Sequence, residues 1–305
     1  FISCIEFELN QTFKKNIMKA SSLIYVVVLV LAVSSLTAQI SAQPRAELTE
    51  IWRTEGELST CESVLYNVDR GLLFVSCING SPSEKNEKGF IAVLTPDGQV
   101  KELNWVTGLN APKGMGIYEN LLYVTDIDEL VVIDIKNAQI TKRIPVEGAS
   151  FLNDIDIGAD GKVYFTDSDT GIVWIYADGE LKKWISKGLE RPNGLYIEED
   201  RVLLTSSGSQ DLKVIDKKTG DMKVVTTEIG AGDGVEFTGK AGYYLTSSWL
   251  GEVFLILPNF SKISLLKTSD QEINSADIGF NIKEQVVYVP TFFDNRVVAY
   301  KLTIR

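Results

Sequence analysis

The chain reads as an all-β fold, a six-bladed β-propeller of four-stranded antiparallel blades with the last blade closed by an N-terminal strand. Three observations predict it. One pattern recurs six times at about forty residues, each copy alternates apolar and polar positions with period two, and the sixth copy lacks its fourth strand. The copies begin CESVLYNV, PKGMGIYE, LNDIDIGA, PNGLYIEE, GDGVEFTG and SADIGFNI. Their second residues are Glu62, Lys113, Asn153, Asn193, Asp233 and Ala276, at successive offsets of 51, 40, 40, 40 and 43. The long first offset is explained by a polar insertion at residues 79–88, NGSPSEKNEK.

Each element follows from local pattern. Two and four residues beyond the second position the chain is apolar or aromatic in every copy: Val64/Tyr66, Met115/Ile117, Ile155/Ile157, Leu195/Ile197, Val235/Phe237 and Ile278/Phe280. That is the spacing of a strand with one buried face, not of a helix. Second strands read LLFVS, LLYVT, VYFTD, VLLTS, YYLTS and VVYVP, rich in β-branched and aromatic residues. Third strands follow as FIAVL, LVVIDI, IVWIY, LKVID, VFLIL and VVAYK, with turns at Pro96-Asp97-Gly98, Asp160-Gly161, Asp178-Gly179 and Thr219-Gly220. No amphipathic helix is expected after residue 46. The missing last strand has a counterpart at residues 48–54, LTEIWRT, whose pairing into the sixth blade would remove two exposed sheet edges.

The first 42 residues are set aside from this domain, which spans 43–305. Residues 1–17 read as a non-native or untranslated leader, since the chain opens on Phe1. Residues 18–42 have the form of a signal peptide: Met18-Lys19, an apolar run at 23–33, then small residues up to Ala38 and Ala42. The run is short for a membrane span, which needs about 20 residues. Export to a periplasm or out of the cell is therefore expected, with no stable membrane insertion after cleavage. Cys61 and Cys77 fall near the same end of neighbouring strands, so a disulfide or two buried thiols are both open, the thiols being favoured.

Composition restricts the chemistry. The chain has 305 residues, 41 Asp and Glu against 30 Lys and Arg, and no histidine. A net charge of −11 argues against nucleic acid or an anionic membrane surface as the main partner. Without histidine there is no Ser-His-Asp triad, no His general base and no His-ligated zinc. Chemistry must come from carboxylates, amides, hydroxyls, lysine or a metal held by oxygen.

Strand direction alternates in a four-stranded meander, so the second positions of all six copies gather at one mouth of the central channel. The ends of the second strands (Ser76, Thr125, Asp126, Thr166, Asp167, Ser206, Ser247) surround them, and the 79–88 insertion lies on that face as a candidate lid. Glu62, Asn153, Asn193 and Asp233 are oxygen donors suited to one divalent cation, calcium first, with manganese, magnesium or zinc as alternatives. Asn and Asp could instead simply cap turns, as Asn-Gly and Asp-Gly often do.

These residues also carry a resemblance. Cys61-Glu62-Ser63, Asn153-Asp154, Pro192-Asn193-Gly194 and Gly232-Asp233-Gly234 resemble the senescence-marker-protein/gluconolactonase/luciferin-regenerating-enzyme-like family over residues 47–305. The resemblance implies Glu62, Asn193 and Asp233 as metal ligands and Asn153 as a group facing both metal and substrate. It implies hydrolysis of a lactone or related ester. One departure stands out: where sugar-lactonase members carry an arginine two residues before the blade-three Asn, this chain has Phe151. On this expectation Asp233, Asn153 and Lys113 are the catalytic candidates, and Phe151, Asp154, Asp167 and Trp249 the substrate-binding ones. Asp233 would orient or deprotonate water, with Asp154 or Asp167 as substitute bases, and Lys113 would stabilise the oxyanion or neutralise the acidic ring. Trp105, Trp174 and Trp184 are expected to pack between strands. The competing expectation is a non-catalytic secreted propeller that binds ligands or proteins, as NHL-repeat proteins do.

Overall fold

The inner strands of the six blades are Cys61–Asn67, Pro112–Tyr118, Leu152–Ile157, Pro192–Ile197, Gly232–Phe237 and Gly279–Asn281. Each begins a four-stranded antiparallel sheet running outward from a central axis. The computed structural model describes residues 44–305, together with Met18. The chain divides into two units, Phe1–Arg45 and Ala46–Arg305, and the second is the propeller. The leader and signal-peptide expectations, and Cys4, lie outside the described residues.

The sixth blade is completed as expected, by Ala46–Arg53 pairing antiparallel with Val297–Ile304, from Ala46↔Ile304 to Arg53↔Val298 with one register shift between Glu50 and Trp52. The closing strand starts two residues earlier than its sequence pattern suggests. Trp52 fastens it to the first blade, its Nε1 donating to the Pro96 carbonyl at 2.9 Å, while its ring lies 5.8 Å from that of Tyr288 in the sixth blade itself. On the inner side a parallel bridge joins Ser63 to Asp277, with Asp277 N–H donating to the Glu62 carbonyl at 2.9 Å. The ring of blades is therefore sealed at both radii. The last offset of 43 is accounted for by a 3-10 turn, Ser269–Gln271, in the connection between blades five and six.

The core is a set of apolar layers between adjacent blades. One such layer packs Phe74, Ile91, Val124, Val131 and Ile133, all buried, between the first and second. Each fully buried side chain of this size contributes about 1.5–3 kcal/mol. Trp105 stacks on Phe74 with centroids 5.0 Å apart, Trp184 meets Tyr164 edge-on at 5.3 Å, and Trp174 is buried between blades two and three, all in packing roles. Cys61 and Cys77 face one another across the ladder as free, buried thiols. Burial pushes the Cys61 thiol up to about 12.

Neighbouring inner strands run so close that side chains are excluded at fixed points. A Cβ on Gly194 would lie 1.9 Å from the Asp233 carbonyl oxygen, and one on Gly234 would lie 2.4 Å from Asp277 Oδ1. Asn193-Gly194 and Asp233-Gly234 are thus parts of strands, with the glycine making room for the next blade, and not turn dipeptides. Gly194→Ala forces a backbone shift, and a loss of more than about 2 kcal/mol is expected in urea unfolding. Wild-type stability in that variant would show that the strands can part freely.

Candidate functional site

In each of the first five blades the inner ladder slips at the position singled out in the repeat. Register shifts fall between Cys61 and Ser63, Pro112 and Met115, Leu152 and Ile155, Pro192 and Leu195, and Gly232 and Val235. A bulge re-aims the side chain it carries and leaves an N–H without a ladder partner. The hydroxyl near the end of the second strand meets that need. Ser76 Oγ accepts from Ser63 N–H at 3.0 Å, Thr166 Oγ1 from Asp154 N–H at 3.1 Å, and Ser247 Oγ from Gly234 N–H at 2.9 Å. Hydroxyls also reach across to the next blade: Thr125 donates to the Asn153 carbonyl, Thr205 to that of Asp233, and Ser247 to that of Ala276. The backbone on which the site is built is locked from both sides.

The result is a cavity of about 510 Å³ at one mouth of the channel, into which Glu62, Lys113, Asn153, Asn193 and Asp233 all face. Ala276, the sixth ring residue, is buried beneath it among Ile78, Ala111, Ile127 and Phe292. Both carboxamides spend their NH2 groups on neighbours, Asn153 Nδ2 on Ser168 Oγ at 3.1 Å and Asn193 Nδ2 on Asp233 Oδ1 at 3.1 Å. Their oxygens are left as acceptors. Asn193 Oδ1 and Glu62 Oε2 are buried with no hydrogen-bond partner. Burial pushes the Glu62 carboxyl up to about 8, with Asp277 adding to the rise and Lys113 opposing it. Asp233 is raised well above the carboxylate range by burial, then by Glu62 and Asp277, against the Asn193 hydrogen bond.

Two acids crowded in a buried site with orphaned oxygens either hold their protons or call for more positive charge than Lys113, whose ammonium turns to carbonyls, brings to them. Among the described residues no three His, Cys, Asp and Glu side chains converge as a metal cluster. The donors here are two carboxylates and two carboxamides, a set that suits a hard divalent cation.

Lys113 is 1% exposed yet forms no ion pair with Glu62. Its Nζ donates to the Pro82 carbonyl at 2.9 Å and the Ala111 carbonyl at 3.1 Å, and lies 4.3 Å from the centre of the Phe151 ring. Burial pulls its pKa down to about 8, with Glu62 opposing. Pro82 belongs to the 79–88 insertion, so Lys113 ties that segment over the cavity. Lys85 adds an exposed ion pair to Asp128 at 2.6 Å.

Phe151 and Trp249 line the cavity, whereas Asp154 and Asp167 do not. Asp154 lies in the opposite half of the channel with Asp156, Glu236 and Asp277. Its oxygens accept from Ile155 N–H at 2.7 Å and Leu195 N–H at 2.6 Å, stapling blade three to blade four. Asp167 is fully buried and accepts from Ser150 N–H at 3.0 Å and Phe151 N–H at 3.1 Å, so it holds the loop that presents Phe151. Six lining residues went unrecognised in the sequence: Ile78, Arg191, Ser207, Ala231, Phe292 and Phe293. Arg191 stands two residues before the blade-four Asn, the place that Phe151 holds in blade three. Comparing those two offsets would have found it.

No protein-family model matches the chain, and no curated protein matches its sequence. Among solved structures it is similar to a gluconolactonase from Xanthomonas campestris, at 15% identity and TM-score 0.64 over 86% of this chain and 91% of that one. It is similar to virginiamycin B lyase from Staphylococcus aureus, at 13% identity and TM-score 0.58 over 86% of this chain and 100% of that one. A chain of a nidogen/laminin complex matches at 15% identity and TM-score 0.61 over 73% of this chain and 85% of that one. These likenesses show a shared propeller fold, the one that the resemblance implied.

Lys113→Met keeps the volume but removes both donors to the loop carbonyls. Amide exchange across residues 83–88 is expected to quicken by about tenfold or more, as read by hydrogen–deuterium exchange mass spectrometry. Unchanged exchange would mean that Lys113 does not hold the segment down.

Proposed function

We propose that the protein is a divalent-cation-dependent hydrolase of a lactone or related ester, exported and acting on a small molecule. Glu62, Asn153, Asn193 and Asp233 would hold the ion, and calcium suits this all-oxygen set best. The observation that carries the reading is the pair of buried, partnerless acceptors, Glu62 Oε2 and Asn193 Oδ1, beside Asp233 in an open cavity. A propeller serving only as a scaffold has no reason to bury them unpaired. When bound, the cation would polarise the ester carbonyl as a Lewis acid.

The chain's own groups complete the chemistry. Asp233, which lines the cavity beside Asn193, is the carboxylate placed to orient an attacking water and, in its ionised form, to take its proton. The hydrogen bond from Asn193 fixes the rotamer of Asp233. Lys113 uses two of its three N–H donors on carbonyls and has one left for a developing oxyanion. The 79–88 segment narrows the mouth and limits water, which strengthens these interactions.

The structural neighbours include a hydrolase, a lyase and a matrix-protein complex, so the fold by itself does not choose among functions. In the lyase a histidine-to-alanine variant is catalytically inactive, and this chain has no histidine. The test is a panel of lactones and aryl esters with EDTA, then with Ca²⁺, Mn²⁺, Mg²⁺ or Zn²⁺ restored. Hydrolysis should disappear with EDTA and return with a cation, and Asp233→Ala should lower kcat by about a thousandfold or more. Turnover that ignores EDTA, or wild-type rates in Asp233→Ala, would overturn the assignment.

A further inference from the structure

We infer that the cavity selects a lactone or ester bearing a large apolar group, an alkyl chain or an aryl ring, over a polyhydroxylated sugar lactone. This rests on the hydrolase reading above and adds the substrate class to it. One wall is an aromatic cluster: Trp249 meets Phe292 and Phe293 edge-on at 5.8 and 6.2 Å, and those two rings are perpendicular at 4.7 Å. Phe293 is 61% exposed, an apolar ring held at the mouth where no protein group covers it. Ile78 and Phe151 extend the apolar lining.

Polar groups outside the proposed ion ligands are few, and each already spends part of its hydrogen-bonding capacity within the protein. Arg191 pairs with Asp169 at 2.5 Å, Ser207 Oγ donates to the Arg191 carbonyl at 3.2 Å, and Lys113 serves Pro82 and Ala111. A sugar lactone would bring several hydroxyls into this space. Each hydroxyl buried without a partner weakens binding by about tenfold to a hundredfold. An apolar substituent meets no such cost, and burying it against the aromatic wall is favourable.

The test compares two unhydrolysable probes by calorimetry on the calcium-loaded protein: a δ-lactam carrying a hexyl chain, and the lactam of gluconic acid. The hexyl lactam should bind about tenfold or more tighter. Phe293→Ser, at a largely exposed position, should weaken the hexyl lactam by about fivefold and leave the sugar lactam unchanged. Equal or tighter binding of the sugar lactam, no binding of either, or indifference to Phe293→Ser would overturn the inference. Tight hexyl-lactam binding without hydrolysis of any lactone would support this inference and remove the hydrolase reading. Gluconolactone turnover matching that of an alkyl lactone would do the reverse.

Discussion

Six inner strands must converge on one axis, and the closeness of their backbones governs nearly everything else in the molecule. Where two of them approach, no Cβ fits, so glycine follows Asn193 and Asp233 in the strand. Relief at these points comes as bulges, and the bulges turn Glu62, Lys113, Asn153, Asn193 and Asp233 toward a common centre. Second-strand hydroxyls then satisfy the freed backbone groups and bind each blade to the next. The site is a by-product of packing sheets around a circle.

The channel carries acids in both halves, and hydrogen bonding separates their roles. In the half away from the cavity, Asp154 and Asp156 each reach the next blade, accepting from Leu195 and Ile197 N–H at 2.6 Å, and Asp277 accepts from Ser63 Oγ at 2.5 Å. Burial raises the pKa of all three, and Asp156 and Asp277 settle at about 6 and about 7. These carboxyls are occupied in holding blades together. Glu62 and Asn193 have the opposite character, with acceptors that nothing in the protein answers. Acidity alone does not mark a functional group here; unanswered oxygens that line an open cavity together do.

Periodicity made the architecture legible, because strand spacing and repeat length depend on local pattern alone. The blade count, the closing strand and the ring of second positions could all be read from it. Partnering could not. Asp154 and Asp233 look alike in sequence, each an aspartate next to or within the ring motif, and only their neighbours across blades tell them apart. The same limit hid Phe292 and Phe293, which sit in the loop between the second and third strands of the sixth blade, a connection whose length and sequence vary from repeat to repeat. Asn193-Gly194 was ambiguous for a different reason: a glycine needed for close approach and a glycine needed for a turn leave the same dipeptide.

Closure by Ala46–Arg53 also fixes how the ring responds to load. Ala46 and Ile304 face each other at one end of the closing ladder. Tension applied between these two residues would peel hydrogen bonds apart singly, from that end inward, instead of shearing a whole row at once. The propeller is consequently weakest along the line joining those ends, and a partner pulling there would open the sixth blade first while the other five kept their sheets.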